Sequence, residues 1–125
     1  MLPFEYQEAL RSYNHAIELN PNAANYENRG IVKSCKINDI YGGLNDFNQA
    51  ILIEPKNADI YVSRGLLKNE ILGDHPGGIE DLQQAARLYK QQGDPKNYQM
   101  VIDLIEDLYK WKLLGKSSII VHYKL

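Results

Sequence analysis

A single cysteine, Cys35, is all the thiol chemistry this chain of 125 residues possesses. It cannot form an intramolecular disulfide, which fits a reducing compartment. Long apolar runs are missing as well. No stretch approaches the roughly 18 uncharged apolar residues that a transmembrane helix needs. The start, Met1-Leu2-Pro3-Phe4-Glu5, lacks the basic residues and apolar run of a signal peptide. A soluble, cytoplasmic protein is the expectation. Charge of one sign is scarce: the formal net charge of −2 exerts no general pull toward nucleic acid or anionic membrane. Catalytic signatures are lacking too. His15, His75 and His122 lie far apart, with no HExxH, no Cys/His metal spacing and no nucleophile elbow. Gly42-Gly43 and Gly77-Gly78 do not precede Lys-Ser/Thr, so they are not phosphate loops; they open helices where a small residue is needed. Acids such as Glu80, Asp81, Asp103, Glu106 and Asp107 read as solvated helix faces. No enzyme, metal or cofactor is expected.

What the chain does have is a period. Ala16 returns as Ala50 and Ala85, and Tyr13 returns as Phe47 and Leu82. Pro21 returns as Pro55, and Tyr26-x-x-Arg29-Gly30 returns as Tyr61-x-x-Arg64-Gly65, at spacings of 34 or 35 residues. A fixed period of that size marks stacked supersecondary units, and a stack offers an extended surface rather than one deep active site.

Each unit reads as helices. Tyr6, Leu10, Tyr13 and Ile17 line one face of a helix over 4–19, and Asn20-Pro21-Asn22 stops it. A second helix follows over 23–36, and Asp39 is placed to cap a third. Ile40, Leu44, Phe47 and Ile51 give the third its buried face, and Glu54-Pro55-Lys56-Asn57 breaks it. A fourth covers 58–72, ended by Gly73, with Asp74 as the next cap and Pro76 in the following first turn. Ile79, Leu82, Ala86 and Tyr89 line the fifth helix. Gly93-Asp94-Pro95 repeats the stop, cap and start signals. Tyr98, Val101, Ile105 and Leu108 then line a last helix that frays after Leu113. The segment 115–125 breaks the helical period and is β-branched at Ile119-Ile120-Val121. Three readings of it stay open: a frayed end, a short strand or a docking peptide.

These residues resemble the tetratricopeptide repeat family, whose unit is an antiparallel pair of helices, A then B. The aromatic and Gly of its helix A are matched by Tyr26 with Gly30 and by Tyr61 with Gly65, while Arg29 and Arg64 replace the usual Leu. The helix B pattern is matched by Ala9, Tyr13, Ala16 and Pro21, then by Gly43, Phe47, Ala50 and Pro55, and more loosely by Gly78, Leu82 and Ala85. Gly30 and Ala50 sit where backbones approach closely; Phe47 and Tyr61 fill the space between units. The resemblance implies an all-α, right-handed superhelix of about two and a half repeats. Its parts would be a half repeat at 4–21, repeats at 22–55 and 56–92, a capping helix at 95–113 and a tail at 115–125. One departure is the number of residues from each helix A Gly to its turn: eight, where the family usually has seven. Another is that the residues before Phe4 are too few for a helix A, so the first helix is an orphan helix B. Either the chain is the C-terminal piece of a longer array, or that face pairs with another protomer.

The resemblance also implies use. In this family the A helices line a concave groove that holds a peptide or helix of a partner protein. By position the candidates are Glu27, Asn28, Ile31 and Ser34, then Asp59, Val62, Ser63, Leu66 and Asn69. The expected function is therefore a non-catalytic protein-interaction module, with self-assembly through the open N-terminal helix as the alternative. One subfamily clamps chaperone carboxylates with Lys, Asn and Arg. Asn28 stands at the Asn position, but Asp59 and Ser63 stand at the cationic ones, so a carboxylate would meet an acid and that clamp is rejected. Arg29 and Arg64 are expected to reach acids of neighbouring helices, Asp46 or Asp81. After Asp107 no acid occurs, whereas Lys110, Lys112, Lys116 and Lys124 do. With Trp111 these suit either an anionic surface or simply the C-terminal end of a helix.

Overall fold

The computed structural model describes residues 2–113, and every regular element among them is helical. In order these are α1 (Phe4–Leu19), α2 (Ala23–Cys35), α3 (Ile40–Ile53), α4 (Ala58–Leu66), α5 (His75–Gln91) and α6 (Pro95–Leu113). The expected tail, 115–125, lies outside the described residues. Short polar side chains start the helices. Asn22 accepts from the Asn25 N–H, Asp39 from Gly42, Asn57 from Asp59, Asp74 from Gly77 and Asp94 from Asn97. Each satisfies an orphan donor, an effect of about 1 kcal/mol.

Two helix pairs, α2 with α3 and α4 with α5, form the body of the stack, and glycines set how close they come. A Cβ on Gly30 would lie 3.1 Å from the Gly43 carbonyl oxygen, and one on Gly43 would lie 2.8 Å from that of Gly30. The pair Gly65 and Gly78 repeats this, at 2.9 and 2.7 Å. Phe47 packs its ring edge against Gly30, 3.0 Å from where that Cβ would stand, so it fills its own helix pair.

The extra residue in each A helix is absorbed by a wide turn. After Leu66, α4 continues as a π-helical turn, Leu67–Ile71. The Leu72 N–H donates to Leu67 O at 3.1 Å and Asp74 N–H to Lys68 O at 2.8 Å. The end of α2 does the same, with Ile37 N–H to Val32 O at 3.2 Å and Asp39 N–H to Lys33 O at 2.7 Å. Both turns close on a left-handed residue, Asn38 at φ 59° and Gly73 at φ 71°. Asn and Gly are the residues that reach this region at least cost.

This geometry corrects two expectations. Ser34 and Asn69 follow Gly30 and Gly65 by four residues, so they share the face that packs on helix B. Both are buried. The Ser34 Cβ lies 2.8 Å from where a Gly43 Cβ would be, and the Asn69 Cβ is at the same distance from that of Gly78. They are packing residues and not part of a groove.

The larger core joins α4, α5 and α6 around Leu82, Ala85, Tyr89, Val101, Leu104 and Leu108. A smaller one holds Ala23, Ala50 and Ile60. By contrast α1 has no buried residue. Replacing Gly78 by Ala adds helix propensity of about 1 kcal/mol. It also drives a methyl group into backbone, an overpacking that costs about 1–3 kcal/mol. The expected net outcome is a loss of about 1 kcal/mol in urea unfolding, with an unchanged helical circular dichroism spectrum.

Candidate functional site

Two arginines tie each A helix to the helices on either side of it. The Arg29 Nε and Nη2 donate to the two carboxylate oxygens of Asp46 at 2.9 and 2.7 Å. Its Nη1 donates to Asn14 Oδ1 at 3.0 Å, and its guanidinium lies over the Tyr26 ring, 5.6 Å from the centroid. Arg64 repeats each contact: Asp81 at 2.8 and 2.8 Å, Asn48 at 2.9 Å, and Tyr61 at 5.6 Å. A lysine completes each set, Lys33 at 3.5 Å from Asp46 and Lys68 at 3.2 Å from Asp81. The hydrogen bonds to the aspartates push both guanidinium pKa values up, against the opposing effect of burial. The arginines therefore have the structural role expected of them, and Asp46 and Asp81 are the two acids. Asp81 is buried, which corrects its reading as part of a solvated face. Asn14 and Asn48 were missed as the third leg of each clamp; their own spacing of 34 residues was the available signal.

With the arginines occupied, the remaining side chains of α2 and α4 define the candidate site. The Ser63 Oγ donates to Glu27 Oε2 at 3.1 Å, joining one A helix to the next. Asn28 and Ile31 are exposed, Ile31 by 38%. Asp59 is exposed and accepts a hydrogen bond from the Tyr89 hydroxyl of α5. Val62 and Leu66 are partly buried against the larger core, so core packing accounts for their apolar character. Of the nine groove candidates, Glu27, Asn28, Ile31, Asp59 and Ser63 remain at or near the surface as polar or exposed positions.

Next to Asp59 the surface sinks into a cavity of about 560 Å³, lined among others by Glu54, Lys56, Asp59, Tyr89, Gln92 and Asp94. Tyr89, Gln92 and Asp94 come from the end of α5 and the turn after it, and no local sequence pattern groups them with α4. Gln92 Nε2 donates to Lys56 O at 2.7 Å and ties that turn to the α3–α4 turn. The surroundings are acidic. Burial pushes the Glu27 carboxyl above its usual range; Ser63 opposes this by hydrogen bonding, and Asp59 and Glu54 add to it. Tyr89 is pushed above the usual phenol range by burial and then by its bond to Asp59. Among the described residues no group of three His, Cys, Asp or Glu side chains could hold a metal ion. No described helix is long and apolar enough to cross a membrane.

Two measurements check this geometry. Arg64→Met leaves Asp81 buried with only Lys68 beside it, and breaking such a pair costs about 3 kcal/mol. Asn48→Ala removes one partly exposed hydrogen bond and is expected to cost about 1 kcal/mol or less; urea unfolding of the two variants gives the comparison. Glu27 is an acid whose folded pKa is raised, so its ionised form is disfavoured in the native state. Stability is thus lost as pH rises from the unfolded value through the raised folded value. Glu27→Gln is expected to raise Tm at pH 7, and the difference from wild type should vanish once both folded and unfolded Glu27 are protonated.

No family model matches the sequence, and no curated protein matches it either. Among solved structures the chain is similar to one titled "Crystal structure of MamA", with a TM-score of 0.60. The aligned residues are 17% identical and span 86% of this chain and 71% of that one. At that identity the likeness concerns the fold: this chain is an all-α helical-repeat solenoid.

Proposed function

We propose that this protein is a non-catalytic interaction module of the tetratricopeptide type, and that its A-helix face receives a segment of a partner protein. The units would be the half repeat 4–21, the repeats 22–55 and 56–92, and a closing helix at 95–113. The observation that carries this reading is the surface formed by α2 and α4 beside the cavity. It combines an exposed apolar residue, Ile31, and an exposed amide, Asn28, with polar groups held by hydrogen bonds, Glu27, Asp59 and Ser63. An apolar contact flanked by positioned polar groups is what recognition of a peptide requires. The acids Glu27, Glu54 and Asp59 favour a segment without carboxylates at that end.

A second reading is supported by a different observation. The half-buried face of α1 at Ala9, Tyr13 and Ala16 would serve self-assembly. Light scattering separates the two, because self-assembly shifts the mass with concentration and binding to the A-helix face does not.

The direct test is affinity capture with the intact chain and with Asn28→Arg combined with Ile31→Glu. Both positions are exposed, so stability should change by only about 0.5 kcal/mol. The captured proteins should be lost. Retention of the same proteins by the correctly folded variant would falsify the groove assignment.

A further inference from the structure

The repeat supplies an internal comparison for the cavity beside α4. One wall is the α3–α4 turn and the other is the end of α5 with the turn after it, so both belong to the described residues. Among the described residues that line it are three carboxylates, Glu54, Asp59 and Asp94, against one cation, Lys56. One unit earlier the same positions are neutral. Asn20 follows the end of α1 where Glu54 follows that of α3, and Ala24 is the second residue of α2 where Asp59 is the second of α4. Asn57 starts α4 where Asp94 starts α6. Asparagine caps a helix as well as aspartate does. The turns of this fold therefore form without these acids, and helix formation does not account for their gathering at one cavity.

Nor is their charge neutralised within the stack. Asp46 and Asp81 each hold an arginine and a lysine. Glu54, Asp59 and Asp94 hold neutral donors instead: the Asn57 amide, the Tyr89 hydroxyl, and the backbone and side-chain amides of Asn97. Glu54 and Asp59 also repel the Glu27 carboxylate on the neighbouring A helix. A concave surface lined by one sign of charge concentrates ligands of the other. A metal ion is not that ligand, because among the described residues no three such side chains are placed to hold one. Carboxylates spread round a cavity of about 560 Å³ instead suit a chain that brings several cations, each on its own flexible stem.

We infer that the cavity receives a basic segment of the partner protein, with lysine or arginine side chains set against Glu54, Asp59 and Asp94. The inference rests on the reading of the A-helix face as a peptide-binding surface and adds the charge of the segment to it.

The probes are three fluorescein-labelled peptides of equal length, built of repeating Lys-Ala, Gln-Ala or Glu-Ala. Fluorescence anisotropy with the full chain at low salt should show the lysine peptide binding at least about ten-fold tighter than the glutamine peptide, with the glutamate peptide weakest. Asp59→Asn with Asp94→Asn keeps the side-chain shapes and the cap of α6, and should shrink that preference to about two-fold. Glu54→Gln, at an exposed position, serves the same purpose if the double variant fails to fold. Asp103→Asn with Glu106→Gln removes the same net charge from exposed positions of α6 outside the cavity and should leave the preference as in wild type. The inference is overturned if the lysine peptide is not preferred, or if the Asp103, Glu106 variant loses as much preference as the Asp59, Asp94 variant. It is equally overturned if wild type binds none of the peptides and Lys116→Gln with Lys124→Gln uncovers binding, which assigns the cavity to residues 114–125 of this chain. Should Asn28→Arg with Ile31→Glu abolish protein capture while the lysine peptide shows no preference, the groove reading stands and the basic segment alone is overturned.

Discussion

Buried aspartate is the constraint on which the stack depends. Asp46 and Asp81 sit between helices with almost no access to water. An ionised carboxylate in that setting costs several kcal/mol unless it is paired and hydrogen-bonded on both oxygens. Arginine answers both needs with one planar group, since its fork matches the two carboxylate oxygens. Its remaining donor is free to reach the preceding B helix, and its face lies on the tyrosine one turn earlier. Three consecutive helices are thereby fixed to one guanidinium. In a solenoid, where each unit contacts only its neighbours, such a contact carries much of the order along the axis.

The paired glycines and the wide turns serve the same geometry. Gly30 against Gly43, and Gly65 against Gly78, bring the backbones of each helix pair close enough for the clamp to span them. The extra residue of each A helix is taken up at its end, by bonds from Ile37 to Val32 and from Leu72 to Leu67, so the register of the arginine is undisturbed. α6 departs from this scheme. Counted from its cap, Val101 and Ile105 stand where α2 carries Arg29 and Lys33 and α4 carries Arg64 and Lys68. Val101 is fully buried in the larger core and Ile105 packs against it. At both edges of the described stack the charges are gone: Ser12, 34 residues before Asp46, stands in place of the acid at one, and Val101 and Ile105 in place of the cations at the other.

Much of this was legible in the sequence because it is local. Asp39, Asp74 and Asp94 announce helix starts through their short acceptors, and Gly73 and Gly93 announce ends. The partners of Arg29 and Arg64 could be anticipated, since an arginine on an inner helix face needs an acid within reach. The candidate site was less legible. Family position alone assigns Ser34 and Asn69 to a groove, whereas their spacing from Gly30 and Gly65 puts them on the packed face. Val62 and Leu66 resemble groove residues in sequence; only the packing of α4 against the larger core makes them part of it. Tyr89, Gln92 and Asp94 join Asp59 around the cavity from a separate stretch of chain, and no local pattern encodes that meeting.

By itself the sequence determined the repeat and most helix starts and stops, because these follow from turn chemistry and from side-chain period, which act within a few residues. The tertiary structure alone decided which acids are buried, which candidate groove residues are exposed, that Glu27 meets Ser63 across two helix pairs, and that Asp59 meets Tyr89 within one. Those outcomes depend on which helix covers which face, and burial is a property of both partners rather than of either segment alone.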